Sequence, residues 1–126
     1  MPHLTLEYSA SLASKFGHRE LFRQLHNTLA DTVGIRLANC KSRAYPATDA
    51  MVGDGDDDAV FVHLDVRFLA GRSDELRQSV GTEMRQTLLD WFAPKAGSAD
   101  LQVTVELRDI DRAFYFKHPE ATLSQP

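Results

Sequence analysis

Cysteine occurs once in this chain and tryptophan once, and neither apolar residues nor charges of one sign run on for long. With Cys40 alone no internal disulfide can form, so a reducing cytoplasm is the expected compartment. A lone cysteine without a recognisable histidine partner reads as a small buried hydrophobe rather than a nucleophile. The N-terminus lacks the long apolar run of a signal peptide or a spanning helix, so no membrane segment is expected. A formal net charge of -4 and a pI near 5.7 give no broad footprint for nucleic acid, leaving room only for a local cationic pocket. The five histidines, His3, His18, His26, His63 and His118, show no metal-ligand spacing, so neither a metal nor another cofactor is expected.

What is present is enough apolar material for one domain: 126 residues, 43% of them hydrophobic. Leu4, Leu6 and Tyr8 alternate as in a strand, and Leu21, Leu25, Leu29 and Val33 recur at helical spacing before Gly34, a natural helix stop. Residues near Asn39 to Tyr45 read as a second strand halted by Pro46, and Gly53-Asp54-Gly55-Asp56 marks a turn. Val60, Val62, Leu64, Val66 and Phe68 form the cleanest alternation and predict a third strand ending at Gly71. Ser73 is a candidate N-cap followed by Asp74 and Glu75, with Leu76, Val80, Met84 and Leu88 along a buried stripe, Trp91 and Phe92 near the end, and Pro94 and Gly97 as breakers. Leu101, Val103, Val105 and Leu107 supply a fourth strand.

The order is βαβ followed by βαβ, the second unit starting about 56–60 residues after the first. The expected fold class is α+β: two tandem βαβ units, about 2–50 and 59–110, in one four-stranded sheet with both helices on one face, then a tail over 111–126. The bare face of such a sheet needs a cover, most simply another subunit. Phe114, Tyr115 and Phe116 are expected to dock on the core or on a neighbouring chain.

Several clusters invite chemical readings. Asp54, Asp56 and Asp58 with Asp65 at the twelfth place superficially match a calcium loop, but Ala59 holds the obligatory glycine place and Val60 to Phe68 is too good a strand. His63, Asp65 and Arg67 make a polar stripe opposite the valines, read as a solvated or subunit-facing surface. Arg72 stands where a strand gives way to a helix, the usual ligand end of a sheet with crossover helices, and its planar fork suits a carboxylate. Lys41 and Arg43 add cationic reach on the second strand. Pro2 shares side-chain parity with Leu4, Leu6 and Tyr8; if Met1 is trimmed, a secondary amine lies at the edge of an apolar face as a candidate general base. Proline is also common at the first place in a strand, where its missing N–H costs nothing.

With Pro2 and Gly71-Arg72-Ser73-Asp74-Glu75 in one chain of duplicated βαβ units, the sequence resembles the tautomerase superfamily, which uses an N-terminal proline. The glycine-arginine segment is similar to that of 4-oxalocrotonate tautomerase. Pro2-His3, Glu7, Leu37-Ala38 to Ser42-Arg43, Phe61-Val62-His63, Ala70-Gly71-Arg72-Ser73 and Phe116-Lys117 resemble the 5-carboxymethyl-2-hydroxymuconate isomerase family, in order and across nearly the whole chain. The resemblance implies a homotrimer, a small unsaturated hydroxy-polycarboxylate as substrate, and proton transfer from a 2-hydroxydienoate to its conjugated oxo isomer in aromatic catabolism. It places the catalytic proline on Pro2 and the strand-end arginine on Arg72. The family's second-strand arginine aligns with Lys41, with Arg43 next along, so lysine keeps the charge there without the bidentate fork. Two other readings stay open: a different superfamily activity on another enol or 2-oxo acid, and a non-catalytic oligomeric α+β module.

Overall fold

The structure, a computed structural model, describes residues 1–55 and 58–119. Asp56 of the expected acidic turn and the tail beyond Pro119 lie outside the described residues. The strands are β1 (His3–Ser9), β2 (Lys41–Ala47), β3 (Ala59–Leu69) and β4 (Asp100–Ile110), and the helices α1 (Arg19–Val33) and α2 (Asp74–Ala96). The sheet order is β2-β1-β3-β4. β1 runs parallel to β2 and β3 parallel to β4, while β1 and β3 pair antiparallel at the centre. The expected pair of βαβ units is therefore present.

Alternation decides which face of the sheet is dry. Leu4, Leu6 and Tyr8 of β1 and Val62, Leu64, Val66 and Phe68 of β3 pack in one cluster with Leu21, Leu25 and Leu29 of α1 and Val80, Met84, Leu88 and Phe92 of α2. Both helices thus cover the same face. The opposite face carries the other parity: His3, Thr5 and Glu7, with Arg67, Asp65 and His63 beside them on β3. The polar stripe expected from His63, Asp65 and Arg67 lies on this bare face, where Arg67 and Arg108 approach Asp65 at 3.4 and 3.7 Å and His63 Nδ1 lies 2.7 Å from the Thr104 hydroxyl.

Helix ends follow local chemistry. Gly34 takes a left-handed φ of 76° and its N–H reaches the carbonyls of Ala30 and Leu29. At the start of α2 the Ser73 hydroxyl accepts from the Leu76 N–H at 3.2 Å, with Asp74 and Glu75 in the first turn.

Two proline expectations are corrected. β2 does not stop at Pro46 but runs to Ala47, because β2 is an edge strand and a residue without an N–H costs nothing on its unpaired side. α2 likewise passes Pro94 and ends at Ala96, since the hydrogen bond that proline forgoes falls in an exposed last turn next to the Gly97 stop.

One aromatic knot was not legible beforehand. His18, only 6% exposed, stands edge-on to Tyr8 at 4.8 Å and accepts from the Trp91 indole N–H at 3.3 Å, tying the segment before α1 to the end of α2. Burial pushes its imidazole pKa down. Among the described residues no helix is long and apolar enough to cross a membrane.

Leu64 is 1% exposed on the central antiparallel pair. Leu64→Ala should destabilise the fold by about 2–5 kcal/mol through lost burial and a residual cavity. Urea unfolding at fixed protein concentration measures this, and a loss under about 1 kcal/mol would contradict the packing described.

Candidate active site

Because β1 opposes β3, the start of β1 lies against the end of β3, with His3 paired to Arg67. β2 starts alongside, with Lys41 paired to His3, and β4 ends alongside, with Ile110 paired to Leu69. Pro2, Lys41, Arg43 and Arg72 are thus gathered at one end of the sheet from three separate stretches of chain.

Met1 and Pro2 are both buried there. The Pro2 carbonyl accepts from the Lys41 N–H at 3.2 Å, which locks the start of β2 to the N-terminus. The terminal amine, carried here by Met1, donates to the Tyr115 hydroxyl at 3.1 Å. That hydroxyl also lies 2.8 Å from His3 Nε2. The other His3 nitrogen, Nδ1, accepts from both terminal nitrogens of Arg43 at 3.2 Å, so Nε2 carries the proton and donates to Tyr115. Burial, followed by the terminal amine and Arg43, pushes the His3 pKa from 6.5 down to about 4. A neutral ring is what this donor arrangement requires.

The amine is also shifted. Burial first, then the charge and hydrogen bonding of Lys41, then Lys117, lower its pKa from 8.0 to about 5, opposed weakly by Cys40. This end of the sheet therefore disfavours an ammonium and holds an amine in its proton-accepting form.

Arg72 stands beyond β3 with its guanidinium 5.7 Å from the centre of the Phe68 ring and Nη1 donating to the Leu69 carbonyl at 3.0 Å. Gly71 makes the turn possible, at a φ of 122° that L side chains rarely adopt. Burial and the neighbouring Arg112 both lower the Arg72 pKa.

The two second-strand cations are in different situations. Arg43 is occupied by His3, whereas Lys41 is the first charge acting on the terminal amine, with its ammonium donating to the Asn39 carbonyl at 3.0 Å. Cys40 is half-buried, and burial pushes its thiol pKa up, the opposite of an activated nucleophile. Among the described residues no group of three or more His, Cys, Asp or Glu could hold a metal ion.

Of the aromatic tail only Tyr115 docks within the chain, edge-on to His3 at 5.9 Å; Phe114 and Phe116 are 76% and 87% exposed. Of the two expected docking places, the core or a neighbouring chain, Tyr115 takes the first, and Phe114 and Phe116 do not pack on this chain's core. A cleft of about 790 Å³ opens beside the site, lined by His3, Arg43, Arg67, Arg108 and Tyr115 among others, but not by Pro2, Lys41 or Arg72. His63 falls outside it, on the bare face. Sequence reasoning missed Tyr115 as a partner of the amine, His3 as its intermediary and Arg112 as the neighbour of Arg72. Only the aromatic cluster around Tyr115 had offered any signal.

A family model described as 5-carboxymethyl-2-hydroxymuconate isomerase matches residues 2–122. The chain is 30% identical over 117 residues to the 5-carboxymethyl-2-hydroxymuconate Delta-isomerase of Escherichia coli, covering 93% of both. A crystal structure of a 5-carboxymethyl-2-hydroxymuconate isomerase from Deinococcus radiodurans R1 superposes with a TM-score of 0.81 at 30% identity, over 92% of this chain and 87% of that one. A fused 4-OT wild-type symmetric trimer has the same fold, with a TM-score of 0.70 at 20% identity over 97% and 96%. The duplicated βαβ sheet is thus the fold that this chain shares with the 4-OT trimer, and the molecule is an isomerase built on it. Within it, the chain belongs to the 5-carboxymethyl-2-hydroxymuconate isomerase family.

The His3 network has a direct readout. The His3 ring should titrate near pH 4, and Arg43→Ala should raise that midpoint by removing a cation. NMR titration of the ring carbons measures both, and a wild-type midpoint at or above 6.5 would contradict the arrangement.

Proposed function

We propose that this protein converts 5-carboxymethyl-2-hydroxymuconate to its conjugated 2-oxo isomer, in the cytoplasmic breakdown of aromatic compounds by the homoprotocatechuate pathway. The reading rests on the family membership and on one observation: the environment of the N-terminal amine, whose burial and neighbouring lysines lower its pKa to about 5. With Met1 removed, the Pro2 nitrogen becomes the terminal amine, on a residue that is itself buried and whose carbonyl accepts from the Lys41 N–H.

The chemistry then needs no metal. The neutral Pro2 nitrogen takes the proton of the 2-hydroxyl, the C2–O bond becomes a carbonyl, and the two carbon double bonds shift to a single one between C3 and C4. The prolinium returns its proton to C5, so the proline is unchanged at the end. Arg72 binds a substrate carboxylate or the developing enolate, and Lys41 takes a second carboxylate as a point charge, Arg43 being held by His3. The working form is a homotrimer. The bare sheet face, the exposed Phe114 and Phe116 and the trimer named for the 4-OT relative support that assembly.

Isomerisation of 5-carboxymethyl-2-hydroxymuconate, followed by absorbance, tests the reading together with intact mass. Activity should require loss of Met1 and should vanish on acylation of Pro2; full activity on molecules that all retain Met1 would refute it. A lowered amine pKa leaves the base form populated at lower pH, so the acid limb of kcat/KM should fall below about 7.7, the usual α-amino range. Arg72→Ala should cost about 10–100-fold in kcat/KM, the equivalent of a charge-assisted contact worth about 1.5–3 kcal/mol. Sedimentation equilibrium should give three times 14.1 kDa.

A further inference from the structure

Tyr115 belongs to two environments at once. Its hydroxyl lies 3.1 Å from the amine of Met1, a residue only 3% exposed, and its ring lines the open cleft of about 790 Å³ together with His3. Three bonds, N–Cα, Cα–C and C–N, join the Met1 amine to the Pro2 nitrogen, so the two nitrogens stand at most about 4 Å apart. An atom at the position of the Met1 amine is therefore within hydrogen-bond reach of Tyr115 and beside the Pro2 nitrogen. A substrate hydroxyl that gives its proton to Pro2 must take such a position. Trimming of Met1 vacates it.

The hydroxyl is prepared for an oxygen there. His3 Nε2 donates to it at 2.8 Å, because Nδ1 of the same ring accepts from Arg43 at 3.2 Å. A phenol oxygen that accepts from His3 keeps its own O–H to give, and the bond it receives polarises that O–H into a stronger donor. Burial pushes the Tyr115 pKa up, opposed by Arg43, so the phenol keeps its proton at neutral pH. The ring is seated edge-on to His3 at 5.9 Å. It directly follows the short turn Arg112–Phe114, whose start is fixed by the Asp111 carboxylate accepting from the Ala113 N–H at 2.9 Å.

We propose that Tyr115 is a catalytic residue whose hydroxyl donates a hydrogen bond to the substrate's C2 oxygen as that oxygen loses its proton to Pro2, with His3 and Arg43 as positioning residues behind it. The inference rests on the isomerase reading above and deepens it. The proton of the 2-hydroxyl passes to the Pro2 nitrogen, the electron pair left on oxygen forms the C2 carbonyl as the double bonds shift, and the prolinium returns a proton to C5. Tyr115 keeps its own proton throughout and stabilises the charge that develops on the oxygen. Arg72, beyond β3, is then left to a substrate carboxylate. A retained Met1 would fill the oxygen's place as well as block the nitrogen.

The experiment compares wild type, Tyr115→Phe and a protein carrying 3-fluorotyrosine at position 115 alone, on 5-carboxymethyl-2-hydroxymuconate, once intact mass has shown Met1 removed from each. Tyr115→Phe should lower kcat about 10–100-fold with KM within about threefold, since the lost bond strengthens only as charge develops. Fluorine makes the phenol more acidic, so the alkaline limb of kcat should move to lower pH; a ring held only for packing would leave it in place. His3→Gln, which keeps an N–H donor, should lose less than His3→Phe. The His3→Phe, Tyr115→Phe double variant should lose little beyond Tyr115→Phe alone, because His3 acts through the hydroxyl.

Wild-type kcat in Tyr115→Phe, a loss confined to KM, or an alkaline limb that fluorine does not move would overturn the assignment. Equal losses in His3→Gln and His3→Phe would remove His3 as its positioning residue. Melting temperature checks folding, and should Tyr115→Phe fail to fold, the pH profile of the fluorotyrosine protein decides. Wild type inactive with Met1 removed would instead remove the isomerase reading itself, a failure distinct from that of Tyr115.

Discussion

The antiparallel pairing of β1 with β3 is the constraint on which the rest depends. It is the one strand pairing that joins the two βαβ units, and it sets His3 opposite Arg67 and Leu6 opposite Leu64. A slip of one residue would turn Leu4, Leu6 and Tyr8 onto the bare face and break the core, so burial holds the register firmly. The same register places the chain's first residues against the end of β3. An N-terminus that frays in most domains is here buried and hydrogen-bonded, which is the condition for an amine to act inside a protein.

Once that end is dry, electrostatics follows. Burial and Lys41 disfavour the ammonium and lower the amine's pKa, and burial with Arg112 works the same way on Arg72. A place that repels its own protons and crowds its own cations is suited to an anion. His3 contributes by being neutral: it ties up Arg43 with one nitrogen and supports Tyr115 with the other. The terminal amine thus has a hydroxyl beside it and a lysine acting on it, and Arg72 stands apart beyond β3.

Most of the fold was legible in the residues. Strict alternation over Val60 to Phe68 and four-residue spacing over Leu21 to Leu29 leave little choice of element, because each pattern buries a continuous face in one geometry only. Pro46 and Pro94 misled, because the cost of a missing N–H depends on whether the bond was there to lose, and an edge strand or a fraying last turn has none of consequence. Pro2, Lys41, Arg43 and Arg72 were singled out by type and local context. That Arg43 would be taken by His3 while Lys41 acts on the amine was not readable, because β2 positions alternate identically until a partner distinguishes them. Tyr115 lies 112 positions from His3 and Arg112 lies 42 from Ala70, separations at which local sequence carries no signal.

The sequence by itself determined the two βαβ units, the apolar side of each element and the presence of a proline where trimming leaves a secondary amine. Periodicity and residue type are local properties, and burial rewards them wherever the chain folds. Only the tertiary structure decided that four strands bring their termini to one end of the sheet, that the N-terminus is desolvated there, and which cation stands beside which group. Those are matters of strand order and register, and the pKa of an amine or the reach of a guanidinium depends on neighbours that the chain brings from far away.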